Sequence, residues 1–226
     1  MNYEVVRLPK ITVAGPCART TNQKTEKIGE LWKALFTIQP DRGETYGVYT
    51  NYQGGIDGEY DAVAARKYYP GDPLPDGFQV VEIPAGSYAK FSFRGDPARD
   101  VGGFWKQIWA EPIPRRFACD FERYVGDGPD GMEIEIYVGI PDFCQSCGMP
   151  MQKEEDYGTE TDGSRSEDYC VYCYKDGKFL ADCTMEQMVD FCLKIGEDAG
   201  RYPDREQAKQ QMLTYFPTLK RWKTEK

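Results

Sequence analysis

The sequence predicts an α+β fold. Duplicated βαββ units form one antiparallel sheet with two helices on one face, and a small cysteine-rich module and C-terminal helices follow. Two observations predict this fold: an internal repeat within residues 1–143, and the crowding of six of the eight cysteines into residues 144–192. Because the chain has 226 residues and a typical domain has about 150, we expect one domain over 1–143 and a second over 144–226.

The repeat is most visible in two helical stripes of large apolar residues. Each stripe has the i, i+3, i+4, i+7, i+8 spacing of a helix that buries one face. The stripes are Ile28, Leu31, Trp32, Leu35 and Phe36, and then Val101, Phe104, Trp105, Ile108 and Trp109. Every position of the second stripe lies 73 residues after its counterpart in the first. We therefore expect two copies of one unit of about 70 residues.

Each unit is predicted to run strand, helix, strand, strand. For the first unit we expect an irregular strand over 3–19, a helix over 22–38 that ends before Pro40, and strands over 46–52 and 60–69. For the second unit we expect strands over 79–94, 117–125 and 132–140 and a helix over 97–110. Two such units would place both helices on one side of a joined sheet.

The last strand of the second unit alternates apolar and polar side chains. Ile134, Ile136 and Val138 point to one face, while Glu135 and Tyr137 point to the other. The apolar face must pack against the helices. The opposite face of the sheet therefore carries carboxylates beside a tyrosine. Such a face is either solvated or an aromatic wall suited to flat, cationic or amphipathic ligands.

Composition and charge exclude several classes of function. The chain contains no histidine, which excludes Ser-His-Asp and Cys-His catalysis and histidine-ligated metals. Its formal net charge of −9 disfavours a protein that coats nucleic acid. The first residues lack the apolar core of a secretion signal, and no stretch approaches the roughly 20 apolar residues that cross a bilayer. We therefore expect a cytoplasmic protein with no membrane partner.

Two CxxC pairs indicate a metal site. Cys144 and Cys147 form the first pair, and Cys170 and Cys173 form the second after 22 intervening residues. Each pair can present two thiolates about 2.3 Å from one ion, and four thiolates complete a tetrahedral coordination sphere. Because that sphere leaves no position for a reactive water, the spacing predicts a zinc ribbon with one structural Zn²⁺ per chain. Reactive dithiols are the alternative interpretation.

The remaining cysteines of the module, Cys183 and Cys192, have no predicted role. Cys192 falls on the apolar stripe of a predicted helix, and Thr184 and Gln187 have the spacing of a capping box at its start.

Charge indicates which partners the module can have. Residues 144–193 carry four basic and eleven acidic side chains, so the ribbon repels phosphate, and a protein partner or a purely stabilising role is favoured over nucleic acid. The tail over 201–226 has seven basic and three acidic residues. It could contact nucleic acid, but docking on the acidic ribbon is the simpler use.

Several segments of the first domain carry a family resemblance. YGVYTNYQGGIDGEYDAV, VVEIPAGSYAKFSFRG, FERY and MEIEIYVGI, in this order and on the duplicated pattern, resemble the GyrI-like effector-binding domain, particularly its integron-associated branch. The resemblance implies a cleft between the two halves, lined by aromatic residues and closed by an acid on the last strand. The matching acid is Glu135. The expected ligand-binding residues are Glu135, Tyr137, Tyr49, Tyr60, Tyr68, Tyr88 and Trp109.

The second domain also resembles a known family. CQSCGMPMQKEEDYGTETDGSRSEDYCVYC and the later FPTLKRWK are similar to a zinc-ribbon family typified by CQSCGMP and YCxYC segments. The resemblance covers nearly all of residues 143–224 and implies no particular activity.

Three functions compete at this point. The first is a binding protein for amphipathic or cationic small molecules, either a sensor like those of transcription regulators or a multidrug-sequestering protein, with a structural zinc ribbon. The second is a hydrolase of reactive cyclopropane-type compounds, which the GyrI-like resemblance allows and which would use Glu135 and a cleft tyrosine. The third is a regulator that contacts DNA through the basic tail. We expect the first.

Overall fold

The computed structural model describes residues 1–38, 44–129 and 131–223. The chain forms two compact units, Met1–Pro141 and Asp142–Lys226. Within the described residues, the helices are all too short or too polar to cross a membrane.

Among its described residues the first unit contains eight strands and two α-helices, as the α+β prediction requires. They are β1 (Glu4–Leu8), β2 (Ile11–Thr21), α1 (Glu26–Ile38), β3 (Thr45–Gln53), β4 (Glu59–Lys67), β5 (Phe78–Ile83), β6 (Gly86–Gly95), α2 (Pro97–Trp109), β7 (Cys119–Gly128) and β8 (Gly131–Gly139). The predicted first strand of each unit is in fact two strands. Proline explains the break, because Pro9 and Pro84 have no N–H to donate to a ladder. The predicted helix end before Pro40 falls at residues outside those described.

The eight strands form one antiparallel sheet in the order β1-β6-β8-β7-β3-β4-β2-β5. The order is symmetric about the β7–β3 pair, with each repeat supplying four strands. The first strand of each repeat pairs with the other repeat: β1 pairs with β6, and β5 pairs with β2. The two repeats are therefore joined by a reciprocal exchange of strands as well as by their central contact.

The sheet curls strongly. In a flat sheet β1 and β2 would lie about 29 Å apart, six strand spacings, yet only Pro9 and Lys10 connect them. Three peptide steps span at most about 11 Å. A second two-residue connection, Pro84 and Ala85, joins β5 at one edge to β6 near the other. The two ends of the sheet must therefore approach each other.

Each face of the curled sheet carries a buried apolar cluster. Leu35 of α1 and Trp105 of α2 pack with Ile134, Ile136 and Val138 of β8 in one apolar cluster, which confirms that both helices cover the face predicted from the β8 alternation. A separate cluster fills the opposite face. It contains Val13, Tyr46, Val48, Val63, Ala65, Ile83, Tyr88, Cys119, Phe121 and Tyr137.

The second unit is built from short strand pairs followed by two helices. The pairs are β9 (Asp142–Phe143) with β10 (Pro150–Met151), β11 (Tyr157–Thr159) with β12 (Arg165–Cys170), and β13 (Tyr174–Lys175) with β14 (Lys178–Phe179). The helices are α3 (Met185–Asp198) and α4 (Arg205–Tyr215). Thr184 and Gln187 form the predicted capping box at the start of α3.

Candidate functional site

A cavity of about 1160 Å³ lies between α1, α2 and the face of the sheet that these helices cover. This volume is large enough for a bulky organic molecule. Eight aromatic side chains line it: Trp32, Phe36, Tyr49, Tyr52, Tyr60, Trp105, Trp109 and Tyr124. The ring of Tyr49 meets Trp105 edge-on at 5.7 Å, and that of Trp32 meets Tyr124 edge-on at 5.2 Å. The walls are therefore held in place by ring contacts before any ligand arrives.

Glu122 provides a buried carboxylate in this cavity. It is only 1% exposed and accepts hydrogen bonds from the Tyr49 hydroxyl (2.8 Å), the Trp105 indole N–H (2.5 Å) and the Tyr124 hydroxyl (2.5 Å). Gly47 makes room for it, since a Cβ there would come within 2.7 Å of a Glu122 oxygen and 3.2 Å of the Trp32 ring. The carboxylate is thus fixed by three donors and enclosed by aromatic rings.

Burial controls the charge of Glu122. Desolvation raises the pKa of this carboxyl above its ordinary value of 4.5, and the hydrogen bonds from Tyr124, Trp105 and Tyr49 oppose that rise only in part. A cation placed beside Glu122 would favour the ionised form. The site is therefore suited to a positively charged ligand, because the attraction between cation and carboxylate offsets the desolvation of Glu122.

A second polar group lies along the same strand. Asp120 is fully buried and accepts hydrogen bonds from the Tyr52 hydroxyl (2.8 Å) and the Gly139 backbone N–H (2.8 Å), and it pairs with the Arg115 guanidinium. Asp120 and Glu122 share a face because alternate residues of a strand do so. Tyr52 and Arg115 both line the cavity, so this group forms part of its polar lining.

The ligand-binding residues expected from the sequence lie at three different places in the structure. Tyr49, Tyr60 and Trp109 line the cavity. Tyr88 and Tyr137 lie in the cluster on the opposite face, and Glu135 points to that face with Tyr137. Tyr68 follows the end of β4, where its hydroxyl donates to the Asp72 carbonyl at 3.3 Å. The hydrolytic alternative paired Glu135 with a cleft tyrosine, and these groups are on different faces of the sheet.

Glu135 has ionic partners of its own. It is 7% exposed, pairs with Lys90 at 2.6 Å and Arg123 at 3.3 Å, and accepts a hydrogen bond from the Tyr137 hydroxyl at 2.9 Å. Burial opposes its ionisation, but the Lys90 and Tyr137 hydrogen bonds and both nearby cations outweigh burial and lower the pKa of Glu135. This carboxylate is neither solvated nor in the cavity, because the curl of the sheet buries the face it occupies.

Several residues that line the cavity are not among the ligand-binding residues expected from the sequence. They are Glu122, Trp32, Tyr52, Trp105, Tyr124 and Arg115. The signal that could have found Glu122 is strand register: it pairs with Ile136, which was expected to face the helices. Directly paired residues of an antiparallel ladder project to the same face. Knowing the pairing of β7 with β8 would therefore have placed Glu122 under the helices.

The four cysteines of the CxxC pairs converge in the second unit. The sulfurs of Cys144, Cys147, Cys170 and Cys173 all lie within 4.8 Å of one another. The Cys147 and Cys170 sulfurs are 3.7 Å apart, close to the roughly 3.8 Å edge of a tetrahedron with 2.3 Å metal–sulfur bonds. All four are free thiols. The donor set fits a structural metal ion, with no position left for a reactive water.

Local contacts prepare these thiols for a metal. The Cys170 backbone N–H points at the Cys144 sulfur, 3.2 Å away. Hydrogen bonds from the thiols of Cys147, Cys170 and Cys173 and from this backbone N–H lower the pKa of Cys144. Thiolate is the form that binds a metal, so these contacts favour the metal-binding form of Cys144, which is fully buried.

The basic tail docks on the ribbon, as the charge reversal predicted. The Arg221 guanidinium lies 3.9 Å from the Phe179 ring centroid and donates to the Ser146 hydroxyl at 3.0 Å. The Trp222 indole N–H donates to the Ser146 carbonyl at 2.7 Å, and Lys220 pairs with Asp168 at 2.5 Å. Since Ser146 lies between the first two cysteines, the tail supports the metal-binding turn directly.

Comparison with known proteins agrees with this arrangement. Residues 4–140 match the family model described as "integron-associated effector binding protein". The chain belongs to the integron-associated effector-binding family. Residues 143–223 match a second model, described as "putative zinc ribbon domain". The aromatic cavity lies within the effector-binding match, and the four-cysteine cluster lies within the zinc-ribbon match.

Two relatives illustrate the likeness. The integron cassette protein VCH_CASS2 from the mobile metagenome of Vibrio cholerae has a solved structure that aligns with a TM-score of 0.53 at 27% identity, over 61% of this chain and 95% of that one. A Bacillus subtilis protein described as "putative transcriptional regulator protein YobU" is 29% identical over an alignment of 120 residues that covers 49% of this chain and 75% of the relative. Membership of the effector-binding family supports small-molecule binding by the first unit.

Proposed function

We propose that this protein binds bulky aromatic cations in the cavity between α1 and α2, with Glu122 as the counter-charge. One observation carries the proposal: a fully enclosed carboxylate is fixed by three hydrogen-bond donors inside a wall of tyrosine and tryptophan rings. A buried negative charge without a cation is unfavourable. An aromatic cation would neutralise Glu122 and stack on the surrounding rings, and each favourable cation–π contact contributes about 0.5–2 kcal/mol.

The proposed role is that of an effector sensor. The name of the Bacillus subtilis relative, a transcriptional regulator, supports this role over simple sequestration of drugs. In a sensor, ligand binding has to change the conformation of a surface that a partner molecule binds. Glu122 and its three donors come from β3, β7 and α2. A ligand that contacts Glu122 is therefore connected through hydrogen bonds to one helix and two strands.

We further propose that the ribbon holds one Zn²⁺ per chain through Cys144, Cys147, Cys170 and Cys173. The spacing of the sulfurs and their number support zinc over hard cations, which prefer oxygen ligands. Binding of the ion would increase the free energy of unfolding of the second unit.

Fluorescence anisotropy with tetramethylrosamine tests the cation-binding function, because this xanthylium dye keeps its positive charge at every accessible pH. We expect saturable binding to the wild-type protein. Glu122→Gln removes the counter-charge while keeping the shape of the side chain, and should weaken binding by about tenfold. Glu135→Gln is the matched control, since it makes the same change on the opposite face and should leave the dye affinity within about twofold of wild type. Equal loss in both variants, or no binding by the wild type, would refute the proposal.

A further inference from the structure

Arg115 is a buried cation that the cation-binding function does not use. Its side chain is 7% exposed and it lines the cavity. Two of its nitrogens, Nε and Nη1, are buried and have no hydrogen-bond partner among the residues that the structure describes. Buried donors without partners are uncommon in native proteins, and they mark places where water or a ligand completes the hydrogen bonding.

Two contacts hold the guanidinium in one orientation. Its Nη2 donates to Asp120, which is itself fixed by the Tyr52 hydroxyl and the Gly139 backbone N–H. One face of the guanidinium lies 4.6 Å from the Phe117 ring centroid. The planar group therefore keeps its remaining N–H bonds in a fixed plane, whereas a lysine ammonium at this position would be a rotating point charge.

Arg115 and Glu122 line the same cavity. Asp120, which holds Arg115, and Glu122 are alternate residues of β7, so their Cα atoms are separated by about 7 Å along one face of the sheet. The cavity lining thus contains the Glu122 carboxylate and the Arg115 guanidinium, whose Nε and Nη1 have no partner among the described residues. A single ligand in the cavity can therefore contact both residues.

We propose that Arg115 forms an acceptor subsite, and that the preferred ligand is an aromatic cation that also carries a carboxylate or carbonyl oxygen. The oxygen accepts from Nε and Nη1 of Arg115 while the cationic ring lies against Glu122 and the aromatic wall. This inference rests on the proposed cation binding and narrows its ligand class from any bulky cation to one with a second, oxygen-bearing substituent. A bidentate carboxylate suits the guanidinium fork best.

A series of three dyes with one xanthylium cation tests the subsite. Tetramethylrosamine has no oxygen substituent on its pendant ring, tetramethylrhodamine methyl ester has an ester carbonyl, and tetramethylrhodamine has a carboxylate. For the wild-type protein we expect affinity to rise in that order, with the carboxylate dye binding about tenfold more tightly than the rosamine. This comparison needs no variant, so it does not depend on the folding of any substituted protein.

Arg115→Lys then assigns the preference to the guanidinium, because it retains a cation beside Asp120 and removes Nε and Nη1. The affinity ratio between the carboxylate dye and the rosamine should fall to about twofold or less. Lys33→Gln is the control, since Lys33 is an exposed cation of α1 outside the cavity lining, and it should keep the wild-type ratio. Circular dichroism melts of both variants confirm that they are folded.

The outcomes distinguish the two proposals. If the wild type binds all three dyes equally, or if Arg115→Lys keeps the wild-type preference, the acceptor subsite is refuted while cation binding stands. If none of the dyes binds, or if Glu122→Gln has no effect on the rosamine, the cation-binding function fails and the subsite falls with it.

Discussion

Glu122 and Glu135 lie on adjacent strands of one sheet and point to opposite faces. In the β7–β8 ladder Glu122 pairs with Ile136, and Glu135 pairs with Arg123. Glu122 is therefore under the helices among neutral donors, while Glu135 lies on the opposite face among cations. The same residue type consequently has a raised pKa at one position and a lowered pKa at the other.

The raised pKa of Glu122 predicts that cation affinity increases with pH. In the free protein burial favours the protonated carboxyl, and a bound cation favours the ionised one, so binding releases a proton. Affinity for tetramethylrosamine should rise from pH 5 upward and become constant once Glu122 is ionised without ligand. Titrations at several pH values measure this. Glu122→Gln should show a flat profile, and a pH dependence retained in that variant would assign the effect to another group.

The ion pairs of Glu135 predict a role in stability. Glu135→Gln leaves Lys90 and Arg123 without their shared carboxylate and should lower the free energy of unfolding by about 1–3 kcal/mol. Because the folded state lowers the pKa of Glu135, its stabilisation is present above the ordinary carboxyl pKa and is lost as pH falls through the lowered value. Urea unfolding of wild type and variant at pH 7 and at pH 3 should show the difference shrinking in acid. A constant difference would contradict this assignment.

Two adjacent glycines in α2 predict a conflict between stability and binding. Gly102 and Gly103 are inside a helix and line the cavity, and a Cβ at either position would meet no heavy atom within 4 Å. Alanine at each should stabilise the helix by about 0.5–1 kcal/mol and also occupy space that a bulky ligand needs. Thermal melts should show a higher Tm for Gly102→Ala/Gly103→Ala, while dye affinity falls. A variant that is both more stable and equally tight would show that the ligand does not reach this part of α2.

Removal of the metal should unfold the second unit selectively. We expect about one zinc per chain by elemental analysis of protein purified under reducing conditions, and loss of near-ultraviolet dichroism from residues 142–223 on chelation. Cys170→Ser should abolish zinc binding. Cys183→Ser is the matched control, because Cys183 lies outside the four-sulfur cluster, and it should retain the ion. Rosamine binding should survive chelation, since the cavity residues all belong to the first unit; its loss would show that the cavity depends on the ribbon.

The sequence by itself determined the features that depend on residues close together in the chain. The duplicated apolar stripes predicted α1 and α2, the alternation in β8 predicted which of its side chains meet the helices, and the CxxC spacing predicted the four-sulfur cluster. In each case the periodicity or the reach of a short segment contains the information, so no knowledge of distant contacts is needed.

Only the tertiary structure decided which residues the cavity contains. The exchange of β1 and β5 between the repeats curls the sheet, and each face carries a buried cluster, so a polar residue on a strand is not automatically solvated. The register of β7 against β8 places Glu122, not Glu135, under the helices. Arg115 reaches the same cavity from the connection that precedes β7, through its pairing with Asp120. Register and strand exchange are set by the burial of the whole sheet. The sequence of a single strand does not specify which strand it pairs with.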